Sequence, residues 1–262
     1  MTKLLKFEMR KLLRSRLFLV CSLILSLIII VSLLTIAELT KANLQEVQFG
    51  KDNQGMTLSV AGEQEYSGKY ILVSVLSGQL PLILSVFIPF FVATDFSQGI
   101  VQHTITKRYS REKIFLSKLF IIFISTFFFA FISMAIACTL GTILWGFGGK
   151  IDINLCVLLL TQFIVVFALS CLYMLISVVF RKTGTAVMVS VLSMTIIKMF
   201  FSLLANVFNK PQIEEYHITT SLSNISDLNI SKEMILKALI VSVIYILVSN
   251  TVSFWYLKTR DV

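Results

Sequence analysis

The chain has 262 residues, of which 56% are hydrophobic and 14% are charged, and its mean hydropathy is +0.88. Soluble domains carry about 25% charged residues, so the composition excludes an ordinary soluble domain and predicts a membrane protein. The formal charge of +9 does not indicate nucleic-acid binding, because the basic residues cluster in connections on one side of the predicted membrane spans.

Residues 1–16 predict an amphipathic helix. At 100° per residue Leu5, Met9, Leu12 and Leu13 share one face, and basic residues lie opposite: Lys3, Lys6, Arg10 and Arg14. We expect this helix to lie in the membrane interface, with its basic side toward anionic headgroups. The alternative is a charge cluster that only sets the orientation of the first span.

Six apolar segments follow, each long enough to cross a bilayer core of ~30 Å as a helix. They are residues 17–37, 70–93, 114–145, 154–180, 185–207 and 235–257. The first exceeds the ~7–15 apolar residues of a signal peptide and precedes no A-x-A cleavage pattern, so we expect it to remain as an anchor. The chain is thus predicted to be an all-α, polytopic membrane protein with one transmembrane domain, residues 1–262.

The distribution of Lys and Arg predicts the orientation. Most of the 23 basic residues lie in the N-terminal segment, the connection between the second and third spans, the Arg181–Lys182 pair and the C-terminal tail. Most of the 14 acids lie in the other connections. Since positively charged connections stay inside, both termini and the connection between spans 2 and 3 are predicted to be cytoplasmic.

That connection, residues 95–118, reads D-F-S-Q-G-I-V-Q-H-T-I-T-K-R-Y-S-R-E-K-I-F-L-S-K. It contains no Pro and no Gly pair, so a short helix from about Phe96 to Thr106 is predicted, although β-branched residues weaken the preference. A helix between two spans would be a mechanical contact, because force on it moves both spans. The alternative is an ordinary positively charged inner loop.

The pattern Asp95-x3-Gly99, followed by Ser110-Arg111-x6-Lys118, resembles the signature of type-2 ABC exporter permeases. Those proteins carry an acid and Gly-Thr after the second span, then Ser-Arg and a Lys leading into the third. The basic opening and the six spans with cytoplasmic ends are also similar, so the resemblance covers the whole chain. This sequence departs from the pattern where Asp95 replaces Glu, where Ile100 replaces Thr, and where a Pro near Ser-Arg is missing.

The resemblance implies that the segment 95–111 is a coupling helix that docks on a separate cytoplasmic ATP-binding subunit. The residues that it assigns to this contact are Asp95, Phe96, Gly99, Ile100, His103, Lys107, Arg108, Ser110 and Arg111. It also implies a bacterial plasma-membrane exporter with two ATP-binding subunits and a second copy of this or a similar permease. The substrate it suggests is an antimicrobial or other amphipathic peptide, with drugs, lipids or ions as alternatives.

The chain has no G-x-x-x-x-G-K-[ST] phosphate loop, and the nearest string, Gly146–Lys150, fails its spacing. We therefore expect no cofactor in this chain, with ATP and Mg bound by the partner. The two histidines, His103 and His217, lie far apart, and the four cysteines show no C-x-x-C spacing. We expect no metal site and no catalytic residues, so the chain is predicted not to be an enzyme.

Lys198 lies near the middle of the fifth span, where a charge costs roughly 2.5–3.5 kcal/mol on insertion scales. On a helical wheel it shares one stripe with three polar residues: Thr195, Ser202 and Asn206. The stripe is predicted to line a translocation path or a subunit interface. The alternative is that the Lys198 side chain extends to the outer interface.

Pro81 and Pro89 in the second span predict a bend, because Pro disrupts the helical hydrogen bonds. The bend could act as a hinge above the coupling segment, or it could be a static kink. For the whole chain the main rival function is an ATPase-independent secondary transporter or channel. Such a protein would be expected to carry more acids or broken helices within the membrane.

Overall fold

The computed structural model of the protein describes residues 2–50, 67–106, 109–149, 152–208, 215–226 and 230–259. Within these ranges the side chains of residues 2–3, 39–50, 103 and 105 are not described. In the described part of the chain the regular elements are all helices. They are α1 (Thr2–Arg14), α2 (Arg16–Gly50), α3 (Gly68–Gly78), α4 (Leu80–Ser97), α5 (Ile100–Thr106), α6 (Arg111–Trp145), α7 (Ile153–Phe180), α8 (Thr183–Phe208), α9 (Ile218–Asn224) and α10 (Lys232–Thr259).

Six segments are long and apolar enough to cross a membrane. They are Arg16–Glu38, Gly68–Ser97, Arg111–Trp145, Ile153–Phe180, Thr183–Phe208 and Lys232–Thr259. The predicted all-α fold with six such segments is confirmed at this level, and the chain is a multi-pass helical protein. We call the end of the bundle where α4 meets α5 the Asp95 end, and the opposite end the Trp145 end.

Several helices continue beyond the apolar runs that predicted them. The helix α2 extends to Gly50, whereas the apolar run ends at residue 37. The helix α6 has 35 residues, about 52 Å at 1.5 Å per residue, which exceeds a bilayer core of ~30 Å. Apolar composition marks the part of a helix that contacts lipid, so it cannot locate the ends of a helix that continues into water.

The second span consists of two helices, α3 and α4, joined at Gln79. Pro81 lies in the first turn of α4, where its missing N–H and its ring prevent continuation of α3. Pro89 lies inside α4 without interrupting it. The second span is thus interrupted at Gln79, just before Pro81, while the bend and the hinge predicted at Pro81 and Pro89 stay predictions.

The core of the bundle is formed around the second and fourth spans. Two thirds of the second span (67%) and 61% of the fourth are buried, against 6% for the fifth span. Near the Asp95 end three rings pack together, Phe18, Phe87 and Phe129, with centroids 5.0–5.9 Å apart. The remaining apolar surface, above all that of α8, is what lipid or another membrane protein would cover.

Candidate functional site

Four charged side chains meet inside the Asp95 end, and we call them the buried charge cluster: Glu8, Lys11, Asp95 and Lys118. They come from α1, α4 and α6. The Asp95 side chain is fully buried, and its two carboxylate oxygens accept hydrogen bonds from different lysines: Oδ1 from Lys11 and Oδ2 from Lys118. One carboxylate thereby joins three helices.

A second acid balances the charge of the cluster. Lys118 is 3% exposed, and its Nζ lies 3.8 Å from Oε1 of Glu8, which is also buried. Buried charges are tolerated when they are paired and hydrogen-bonded. Two acids and two lysines give the cluster no net charge, and each of its charges has one of opposite sign nearby.

Lys11 occupies the half-exposed edge of the cluster. Its Nζ also lies 4.6 Å from the ring centroid of Phe91, which is a cation–π contact. Burial lowers the pKa of Lys11 to about 8, with a smaller contribution from the charge of Lys118, while Glu8 opposes the shift. The ammonium therefore still carries its proton at neutral pH and pairs with Asp95.

The cluster determines which face of α1 contacts the bundle. Leu4, Glu8 and Leu12 are buried, and Phe7 and Leu13 are each 53% exposed. The prediction that Leu12 lies on the lipid-facing side is wrong, because that side chain is fully buried against the bundle. The helical wheel treated α1 as having only lipid and water as neighbours, whereas it also has a protein-facing side.

The segment after Asp95 turns sharply into a short helix. The helix α4 ends at Ser97, and Gly99 adopts a φ of 68°, a left-handed conformation that favours glycine. The helix α5 then runs over Ile100–Thr106 and contacts α4 and α6. The predicted continuous helix from Phe96 to Thr106 is thus divided at Gly99, because this turn redirects the chain.

The predicted coupling residues have unequal exposure. Asp95 is buried, Phe96, Gly99 and Ile100 are half-buried, and Ser110 is exposed. The His103 side chain, and Lys107 and Arg108 altogether, lie outside what the structure describes. Two polar residues of α5 that were not predicted as coupling residues are exposed four positions apart: Gln102 and Thr106. Their i, i+4 spacing is the signal that the sequence offers.

Two arginines, Arg111 and Arg181, connect neighbouring helices around this site. Arg111 Nη1 donates hydrogen bonds to the carbonyl oxygens of Leu257 (3.1 Å) and Lys258 (2.8 Å) in the last turn of α10, where a cation is favourable. Arg181 ends α7 in a left-handed conformation, and its guanidinium lies 5.9 Å from the ring centroids of Phe96 and Tyr256. In the sequence Arg181 indicates only the orientation, because contacts between distant helices have no local signal.

The predicted translocation stripe lies on the outer surface of α8. Thr195, Lys198 and Asn206 are exposed, and Ser202 is half-buried. The stripe is thus available to a second membrane protein, to lipid or to water. None of the salt bridges among the described residues includes Lys198.

Lys198 lies near the segment that precedes α9. Phe201, three residues further along α8, has its ring 5.6 Å from the buried ring of His217. Burial, and to a smaller extent the charge of Lys198, lower the pKa of His217 to about 4, so its imidazole is neutral at pH 7. The charge of Lys198 is therefore close to the His217 ring at the Trp145 end.

A buried amide joins three helices in the other half of the molecule. Gln162 of α7 is fully buried, and its Nε2 donates to the carbonyl oxygens of Val73 and Ile225, both at 3.1 Å. The Ser226 hydroxyl donates to that of Ser77 at 2.6 Å. The segment containing α9 is thereby held against α3 and α7. A Gln within an apolar run was the sequence signal for this contact.

The described residues contain no group of three or more His, Cys, Asp or Glu side chains that could hold a metal ion. The helices and the buried charge cluster define a polytopic helical membrane protein. Residues 28–262 match the family described as "Protein of unknown function (DUF2705)", and the chain belongs to this family. No curated protein matches the chain.

Proposed function

We propose that the chain is the membrane-spanning permease subunit of an ATP-driven ABC exporter, in which α5 is the coupling helix. The observation that supports this most is the buried ion pair between the two spans that α5 connects. Asp95, four residues before Gly99, pairs with Lys118 in the span that follows α5. A force applied to α5 would therefore act on α4 and α6 together.

The buried charge cluster extends this connection to α1. Lys11 binds the same carboxylate as Lys118, so α1, α4 and α6 would move as one body. Breaking a buried ion pair by removing one partner costs about 3–5 kcal/mol. That is several times the thermal energy, so the ion pairs would stay intact while the helices rock.

The exposed residues Gln102 and Thr106 of α5 form the surface that we assign to the ATP-binding subunit. In this proposal the termini and α5 are cytoplasmic, two ATP-binding subunits bind ATP and Mg, and a second permease copy faces α8. The path would then be lined partly by the stripe on α8: Thr195, Lys198, Ser202 and Asn206. An amphipathic peptide remains the proposed substrate, on the resemblance alone.

Co-purification tests the proposal. The chain is expressed with the ATP-binding protein encoded beside it and purified in a mild detergent, as wild type, as Gln102→Arg/Thr106→Arg, and as the control Thr259→Arg. Thr259 is exposed at the same end of the bundle but outside α5. We expect the ATP-binding protein to co-elute with wild type and the control and to be lost from the double variant. If it co-elutes with none of them, the exporter proposal fails.

The second candidate function is an ATPase-independent secondary transporter or channel. The break between α3 and α4 favours it, because interrupted spans near buried polar groups build ion and substrate sites in such proteins. Purified chain in proteoliposomes distinguishes the two functions. Flux of ions or labelled solutes without any ATP-binding subunit would support the transporter or channel, whereas flux that requires the subunit and ATP would support the exporter.

A further inference from the structure

We infer that the exposed side of α1 is a binding site for an anionic phospholipid. The inference does not depend on an ATP-binding partner. The buried charge cluster removes the only acid of α1 from the exposed surface of that helix. Glu8 is turned into the bundle toward Lys118, and the opposite side of the helix keeps its basic residues.

Three of these basic side chains form a line. Lys6, Arg10 and Arg14 are exposed and spaced four residues apart, so they follow one another along the helix surface over about 12 Å. None of the salt bridges among the described residues includes them. The line therefore presents three uncompensated positive charges.

An apolar groove runs beside the basic line. It is a shallow groove on the surface of α1 alone, lined by Leu5, Lys6, Met9, Arg10, Leu13 and Arg14. Leu5 and Met9 are half-buried, and Leu13 is 53% exposed. An acyl chain can lie along the apolar side while the phosphate contacts the guanidinium groups, which matches the two halves of a phospholipid.

The position of α1 favours a lipid over an acidic protein. Arg14 ends α1, and the first membrane-crossing segment begins at Arg16, so the groove opens where hydrocarbon gives way to headgroups. A soluble protein bound to the basic line would leave Leu13 and Met9 in water. A phospholipid covers both kinds of surface, and each Lys or Arg near an anionic membrane contributes to binding.

Competition against a fluorescent lipid tests the site. The full chain in detergent micelles is loaded with fluorescent phosphatidylglycerol, which is then displaced by unlabelled phosphatidylglycerol, by phosphatidylcholine or by soluble glycerol phosphate. We expect displacement by phosphatidylglycerol only. Lys6→Gln/Arg10→Gln/Arg14→Gln should weaken the binding of phosphatidylglycerol roughly 100-fold, and Met9→Ser/Leu13→Ser should weaken it about tenfold.

The control is Lys113→Gln/Lys182→Gln/Lys258→Gln, which removes the same charge from exposed positions at the same end of the bundle. Its affinity should match wild type. An equal loss in the control would overturn the inference, because net charge alone would then explain binding. Equal displacement by phosphatidylcholine or by glycerol phosphate would overturn it too, as would an unchanged affinity for phosphatidylglycerol in the triple variant.

Discussion

The two ends of the bundle are held together by different interactions. At the Asp95 end, four buried charges join α1, α4 and α6, and Arg111 binds the carbonyl groups at the end of α10. At the Trp145 end the buried contacts are close glycine contacts and neutral hydrogen bonds. The two salt bridges there, Lys69–Asp152 at 3.6 Å and Lys237–Glu215 at 3.3 Å, each include an exposed side chain. There the Gly68 N–H donates to the Gly146 carbonyl at 2.9 Å, and Gln162 joins α3, α7 and α9.

The difference lies in how each end would respond to a displacement. Paired charges in a buried site are costly to separate, so the Asp95 end has a few strong contacts that hold or break together. Neutral hydrogen bonds contribute about 0.5–1.5 kcal/mol each, so the Trp145 end can change one contact at a time. A molecule that receives a force at α5 and opens at the far end would need this division.

Asp95→Ala should have the largest effect of any single change, because it leaves Lys11 and Lys118 close together and only Glu8 to balance them. We expect a loss of about 3–5 kcal/mol in the free energy of unfolding, measured by thermal unfolding in detergent. The double variant Asp95→Ala/Lys118→Met removes one charge of each sign and should recover part of this loss. If both variants unfold like wild type, the cluster does not stabilise the Asp95 end.

Gly141→Val tests the close packing at the Trp145 end. A Cβ at Gly141 would lie 3.2 Å from Cα of Gly68, so a Val forces α3 away from α6 at a cost of about 1–3 kcal/mol. Gly184 in α8 has no atom within 4 Å of the position of its Cβ, so Gly184→Val is the control. Thermal unfolding should separate the two variants, and equal stability would contradict the packing argument.

Gln162→Leu should have a smaller and more local effect, because it removes two hydrogen bonds but keeps the volume of the side chain. We expect a loss of about 1–2 kcal/mol, with faster amide hydrogen exchange in α9 and the residues before it. Exchange at the Asp95 end should stay unchanged and serves as the internal control. Uniformly faster exchange would mean that the two ends do not respond separately.

The sequence predicted what depends on local composition. Continuous apolar runs revealed the six spans. The contacts between helices were not predicted, since Asp95 and Lys118 were noted only as parts of a motif and Glu8 only as an acid in a basic segment. Pairing of residues that are 84 positions apart, such as Lys11 and Asp95, depends on the arrangement of the whole bundle.

The same limit applies to the candidate site. Helical periodicity predicted that α1 is amphipathic, but it assigned Leu12 to lipid because the bundle was not among the possible neighbours. Likewise, the polar stripe on α8 was visible as a pattern, whereas its position beside His217 requires the fold of the segment before α9. The helical periodicity of a sequence identifies which residues share a face, and the packing of the helices determines what that face contacts.

Gly99→Ala should have the smallest effect on stability and a specific effect at the Asp95 end. A Cβ at Gly99 would meet only Gln102 Oε1 at 3.6 Å, an ordinary contact, so the cost comes from the backbone φ of 68°. We expect a loss of about 1 kcal/mol, and Gly99→Asn should lose less, since Asn tolerates this conformation. In the proposed exporter, Gly99→Ala should also reduce ATPase stimulation more than Gly99→Asn.

Gly78→Ala at the α3–α4 junction is the control, because Gly78 has neither a close neighbour nor a positive φ. If Gly78→Ala and Gly99→Ala destabilise the protein equally, the turn at Gly99 does not set the position of α5.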